Sequence, residues 1–107
     1  MPTFVIRTIH TPDQCPTSNS KLRDRIQEQG PQMPKTAERL GVKIVVGPLV
    51  LGAEHEGIVI VETERVEAVN DFLLESGLIQ WQTCRVSLAQ SMAEALGDLN
   101  RAPAPLH

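Results

Sequence analysis

Tyrosine is absent, and aromatics make up 3% of the chain, namely Phe4, Phe72 and Trp81. Without aromatic side chains to stack on bases, a single-strand nucleic-acid platform is excluded. Positive charge is scarce as well. Ten Lys and Arg face 13 Asp and Glu, for a formal charge of −3, whereas a general nucleic-acid binder needs a basic patch. Two cysteines, Cys15 and Cys84, are too few for a disulfide framework, and no CxxC pair exists. No apolar run approaches the roughly 20 residues of a membrane-spanning helix. Met1-Pro2-Thr3-Phe4-Val5 lacks the basic-then-apolar pattern of a signal peptide. The expectation is a cytoplasmic protein with reduced thiols and neither a nucleic-acid nor a membrane partner.

What is present is enough apolar material, 41% of 107 residues, to build one globular core. A single domain is expected over residues 1–101. The Pro/Ala-rich residues 102–107 read as an extended tail, because proline lacks an amide donor and opposes helix.

Thr3 to His10 is rich in β-branched residues and reads as a strand, with Phe4, Ile6 and Thr8 sharing one face. Thr11 to Asn19, with two prolines, reads as a loop. Leu22, Ile26, Gly30, Met33, Ala37 and Leu40 then recur at helical spacing. Gly30-Pro31 and Pro34 interrupt this stripe, which predicts two helical pieces or one kinked helix, closed by Gly41. Val42 to Leu51 is a second strand whose Gly47-Pro48 places it at an edge or in a bulge. After a turn at Gly52 to Glu56, Gly57 to Thr63 is a third strand, apolar enough to be buried on both faces. Val66, Val69, Phe72 and Leu73 form a helical stripe ended by Gly77, and Trp81 to Leu88 is a fourth strand in which Cys84 reads as a buried structural thiol. Ser91-Met92-Ala93-Glu94 matches a capping box opening a short helix, with Met92, Ala95, Leu96 and Leu99 expected inward.

Strand, helix, strand, strand, helix, strand is the split βαβ order of an α+β, ferredoxin-like fold: a four-stranded antiparallel sheet of order 4-1-3-2, here with an extra C-terminal helix. Two helices cover one face of a sheet. Strands apolar on both faces therefore call for a partner, and a second copy, as a homodimer or higher homo-oligomer, is the expected one. In this topology, and in its two-faced strands, the chain over residues 3 to 88 resembles the dimeric α+β barrel superfamily. That group includes antibiotic-biosynthesis monooxygenases, stress-responsive barrel proteins and chlorite-dismutase-like haem proteins. The resemblance implies a pocket used for cofactor-free oxygenation of aromatic substrates or for haem. Other ferredoxin-like groups fit less well. There is no MxCxxC of metal-transport domains, no glycine-rich arginine loop of acylphosphatases, and no aromatic pair of RNA-recognition motifs. An amino-acid-sensing regulatory domain stays open.

The same topology gathers the chemically able side chains at one end of the sheet. His10 ends the first strand, Glu54, His55 and Glu56 precede the third, Gln80 and Trp81 open the fourth, and Cys15 lies in the loop before a helix. Three readings compete there. In the first, a small apolar or planar ligand stacks on Trp81, with His10 or His55 as its polar handle and Gln80, Glu54 and Glu56 as further binding residues. If the protein is an enzyme, His10 or His55 is its acid/base and Cys15 its nucleophile. In the second, His10, Cys15 and His55 hold a transition metal (zinc, copper or iron), although the spacing matches no established metal signature. In the third, these residues are a polar rim on a regulatory or assembly module. Arg7 and Arg85, on neighbouring strands, need partners, and a salt bridge to Glu62 across a dimer or an anionic ligand would supply them.

Overall fold

Phe4, Ile6 and Thr8 alternate with Val5, Arg7 and Ile9 along strand β1 (Thr3–Ile9), and the alternation decides which face is buried. The computed structural model describes residues 1–106; His107, the end of the expected tail, lies outside them. After β1 come helices α1 (Ser20–Gln29) and α2 (Met33–Arg39), then strands β2 (Lys43–Leu51) and β3 (Glu56–Glu62). Helix α3 (Val66–Glu75), strand β4 (Thr83–Ala89) and the short helix α4 (Met92–Asp98) complete the order. The strands form one sheet in the order β2-β3-β1-β4, with every neighbour antiparallel. This is the ferredoxin-like arrangement, in the α+β class expected from the element order.

The register places Phe4, Ile6 and Thr8 opposite Val61, Val59 and Gly57 of β3, and opposite Leu88, Val86 and Cys84 of β4. That face carries the core, in which Phe4, Ile6, Val59 and Val61 pack with Ala68, Val69, Phe72 and Leu73 of α3. Leu73 and Phe72 sit on the stripe that the sequence predicts, whereas Val66 stays exposed at the first turn. Gly77 follows α3 at φ 83°, the left-handed position that a glycine fills without steric cost after a helix end.

Between α1 and α2, Gly30–Gln32 form a single 3-10 turn, so the two pieces run on as one kinked helix. Asn19 caps α1 by accepting a hydrogen bond from Leu22 N at 3.0 Å. Along α1 only Leu22 is buried, and Ile26 is half-buried. The expected loop between β1 and α1 contains a 3-10 turn at Pro12–Gln14. Strand β2 lies at the sheet edge and slips register between Ile44 and Leu49, as Gly47-Pro48 requires. Gly47 has φ 87°, and a Cβ there would meet Ile58 O at 2.6 Å, so no larger residue fits the bulge.

Three expectations are corrected. Strand β3 is fully buried on one face, through Val59 and Val61, while Ile58 and Ile60 are half-buried on the other. Val86 and Leu88 are exposed although they share the helix-covered face, because α3 lies over the central strands and leaves edge strand β4 bare; Cys84 beside them is half-buried, and burial raises its thiol pKa. Finally, α4 does not turn its apolar residues into the chain's own core. Met92, Leu96 and Leu99 are exposed, and α4 packs chiefly on the turn that follows it. The radius of gyration, 16.5 Å, accordingly exceeds the about 13 Å usual for this length. Ser91 does cap α4, accepting from Glu94 N at 3.1 Å. No helix among the described residues is long and apolar enough to cross a membrane.

Candidate metal centre

His10 directly follows β1 and His55 directly precedes β3, and the antiparallel pairing of these strands sets the two histidines opposite each other. The ladder continues one step past Ile9↔Glu56, so that His10 N donates to His55 O at 3.0 Å. The imidazole rings meet edge-on, 5.3 Å between centroids and 83° between planes. His55 reaches this position at φ 55°, left-handed and without glycine's freedom, as the residue closing the 3-10 turn Gly52–Glu54. A non-glycine residue held there is strained by about 1 kcal/mol or more, a cost that functional sites often carry.

Cys15 arrives from the other side. Its amide donates to Pro12 O at 3.2 Å, closing the 3-10 turn, and its carbonyl accepts from Ser18 N and Asn19 N, which tie it to the start of α1. The side chain is buried, and Sγ lies 3.0 Å from Thr17 Oγ1. When the sulfur is a thiolate, the Thr17 hydroxyl donates to it, as outer-shell groups do for metal-bound sulfur.

One ligand atom each from His10, Cys15 and His55 lie within 4.8 Å of one another. A tetrahedral or trigonal ion at usual Zn–N and Zn–S lengths separates its ligands by about 3.4–3.8 Å, so side-chain adjustments of about 1 Å would bring all three to bonding distance. Both His10 nitrogens and His55 Nδ1 are buried without a hydrogen-bond partner among the described residues. Buried polar atoms are rarely left so, since each costs about 1–3 kcal/mol. Burial lowers the His10 pKa and His55 lowers it further, while the Gln82 amide pulls weakly upward without reaching hydrogen-bond geometry with either ring nitrogen. The neutral imidazole favoured in this way is the form that ligates metal.

The remaining residues expected at this end divide into two groups. Trp81 stands against His10, with centroids 5.1 Å apart and planes 50° apart. It follows the 3-10 turn Leu78–Gln80 and precedes β4 rather than opening it. Glu56 is half-buried and ion-pairs with Arg7 at 3.4 Å. Arg7 thus finds its acid within the chain, one strand step from His55, while Arg85 lies directly opposite it in the register. Glu54 is exposed on its turn, outside the triad, and Gln80 is exposed and accepts from Arg25 at 3.5 Å. Neither lines the cavity next to the site.

That cavity, about 710 Å³, lies between the kinked helix and the sheet. His10, Cys15 and Trp81 form its polar end, and Ile26, Met33 and Ile44 form much of its apolar wall. Thr17 and Gln82 also border it, although the sequence does not single them out. Thr17 had one available signal, its position two residues from Cys15. Gln82 had none. Compared with known protein families and with curated protein sequences, the chain matches none, so the His10–Cys15–His55 geometry carries the functional argument.

Proposed function

We propose that the protein binds a transition-metal ion through His10, Cys15 and His55, and that this ion sits at the polar end of a small-ligand cavity. The observation that carries the reading is the convergence of three ligand atoms within 4.8 Å, with His10 and His55 nitrogens otherwise unpartnered. One thiolate with two imidazoles suits zinc or copper, and suits hard, oxygen-seeking calcium or magnesium poorly. The three residues use, as ligands, the lone pairs that an acid/base or nucleophile role would need. The metal reading therefore stands against the metal-free catalytic one.

The test is elemental analysis by mass spectrometry of untagged protein purified under reducing, chelator-free conditions, beside His10→Ala and His55→Ala. About one ion per chain in the parent, lost in both variants, is the expected result. Equal metal in parent and variants, or no uptake of added Zn²⁺ by the parent, rejects it.

A second reading concerns assembly. We infer a homodimer. Val46, Leu49 and Val50 on edge strand β2, and Met92, Leu96 and Leu99 on and just after α4, are exposed apolar residues that a second copy would cover. Light scattering of the 11.8 kDa chain at micromolar concentration is expected to give twice that mass. A monomer removes this inference and leaves the metal reading untouched.

A further inference from the structure

The metal reading, on which this inference rests, leaves the ion one coordination position short, because the triad supplies three ligands and zinc or copper sites of this type commonly take a fourth. Two features of the structure restrict what can occupy that position. The first is direction. His10 and Cys15 border the cavity, whereas His55 does not, so the open side of the ion faces the cavity. The second is charge. A divalent ion with one thiolate and two neutral imidazoles keeps a net charge of +1. Glu56 borders the cavity but is already held by Arg7, so that it leaves the site's charge uncompensated. An unbalanced charge against an apolar wall is costly, and a monoanionic fourth ligand removes it.

The wall beyond is apolar and wide. Helix α1 stands off the sheet and buries Leu22 alone, so its Ile26 borders empty space instead of packing. Met33, at the start of α2, and Leu78 extend the same surface. Trp81, against His10, lines the cavity as its one aromatic ring besides the imidazole, and a planar body suits that neighbour next to the ion. The cavity volume of about 710 Å³ is within the range of drug-sized ligands.

We infer that the cavity takes an apolar, planar organic thiol or phenol, whose single deprotonated donor completes the metal shell while its body fills the space between Ile26, Met33 and Trp81. Binding releases the donor's proton to solvent and forms one metal–sulfur or metal–oxygen bond. No electrons are transferred.

The experiment uses the full chain loaded with Co²⁺, whose absorption reports its ligands. The probes are 2-naphthalenethiol, its methyl thioether and 2-mercaptoethanesulfonate. They offer, in turn, the donor with the apolar body, the body without the anionic donor, and the donor on a small charged body. The expected result is a shifted cobalt spectrum with 2-naphthalenethiol, bound at least about tenfold more tightly than the sulfonate, and no shift with the thioether. Protein-bound cobalt, measured after desalting, is expected to stay constant, which separates binding from metal stripping. In Ile26→Trp, which fills the cavity from a half-buried helix position and leaves the triad alone, the cobalt spectrum is expected to persist while 2-naphthalenethiol binds at least about tenfold more weakly.

If cobalt binds and responds to His10→Ala, but thiol and thioether behave alike, or both thiols bind equally, or Ile26→Trp changes nothing, the ligand class is wrong and the metal site stands. If cobalt does not bind, or binds independently of His10, the metal reading fails and this inference fails with it.

Discussion

Helices α3 and α1 lie on the same face of the sheet, and the sequence marks both with an apolar stripe, but they do different things, while α2 joins the core through Ala37. Helix α3 presses Ala68, Val69, Phe72 and Leu73 into β1 and β3 and makes the core. Helix α1 buries Leu22, holds Ile26 half-exposed, and roofs a cavity. The difference lies at their ends. Gly77 lets α3 stop, and the chain returns to the sheet through the 3-10 turn Leu78–Gln80. The start of α1 is instead tied to the knot around Cys15, where Asn19, Ser18 and Arg23 bond back to Pro12, Cys15 and Pro16. The same knot delivers Cys15 to the histidines. Packing is thus given up where the site is built, and an apolar stripe by itself does not tell a core helix from a roof.

Side-chain truncation in the two helices should separate them most clearly. Phe72→Ala removes a fully buried ring from the packed end and is expected to cost about 3–5 kcal/mol in urea unfolding. The same measurement on Ile26→Ala, at the hollow end, is expected to show less than about 1 kcal/mol, because the side chain faces a cavity already present. Similar losses for the two would mean that the cavity is closed in solution.

Next in size are the ligands. His55→Ala is expected to lower metal affinity at least about a hundredfold in a chelator-competition titration, since even outer-shell changes cost ten- to a hundredfold. Added Zn²⁺ is expected to raise the unfolding midpoint of the parent and leave that of His55→Ala unmoved, because an ion bound to the folded state alone stabilises it by mass action.

A smaller effect separates the backbone of the site from its chemistry. His55→Gly relieves the left-handed strain at φ 55° and is expected to stabilise the metal-free protein by about 1 kcal/mol while abolishing metal binding. A loss of stability without metal would show that the His55 ring serves packing rather than ligation. The smallest effect belongs to Ser91→Ala. It removes the cap of α4, yet is expected to leave the unfolding midpoint of the domain almost unchanged, because α4 packs on little besides its own following turn.

Element order was legible because each element carries a local signal. β-branched alternation marks β1, Gly47-Pro48 marks β2 as an edge, and the phase of Leu22, Ile26, Met33 and Ala37 survives the Gly30-Pro31 break as the kinked helix. The meeting of His10, Cys15 and His55 was legible at one remove, through the topology, since antiparallel pairing must bring the end of β1 to the start of β3. Glu54 and Gln80 were assigned to the same end on equal grounds, and the structure turns both outward. Sequence position brings a residue to an end of the sheet without setting its rotamer or the tilt of its turn.

The α+β class, the antiparallel order and the end of the sheet where polar side chains gather follow from local periodicity and from the few topologies that such an order permits. It took the folded chain to show that α1 stands off the sheet, that α4 leaves Met92, Leu96 and Leu99 uncovered, and that two imidazoles and a thiol come within ligating reach beside an apolar cavity. Those outcomes depend on distances between residues far apart in the chain. They are set by how the turn at Gly52–Glu54 and the Cys15 knot pack, and no local pattern encodes such distances.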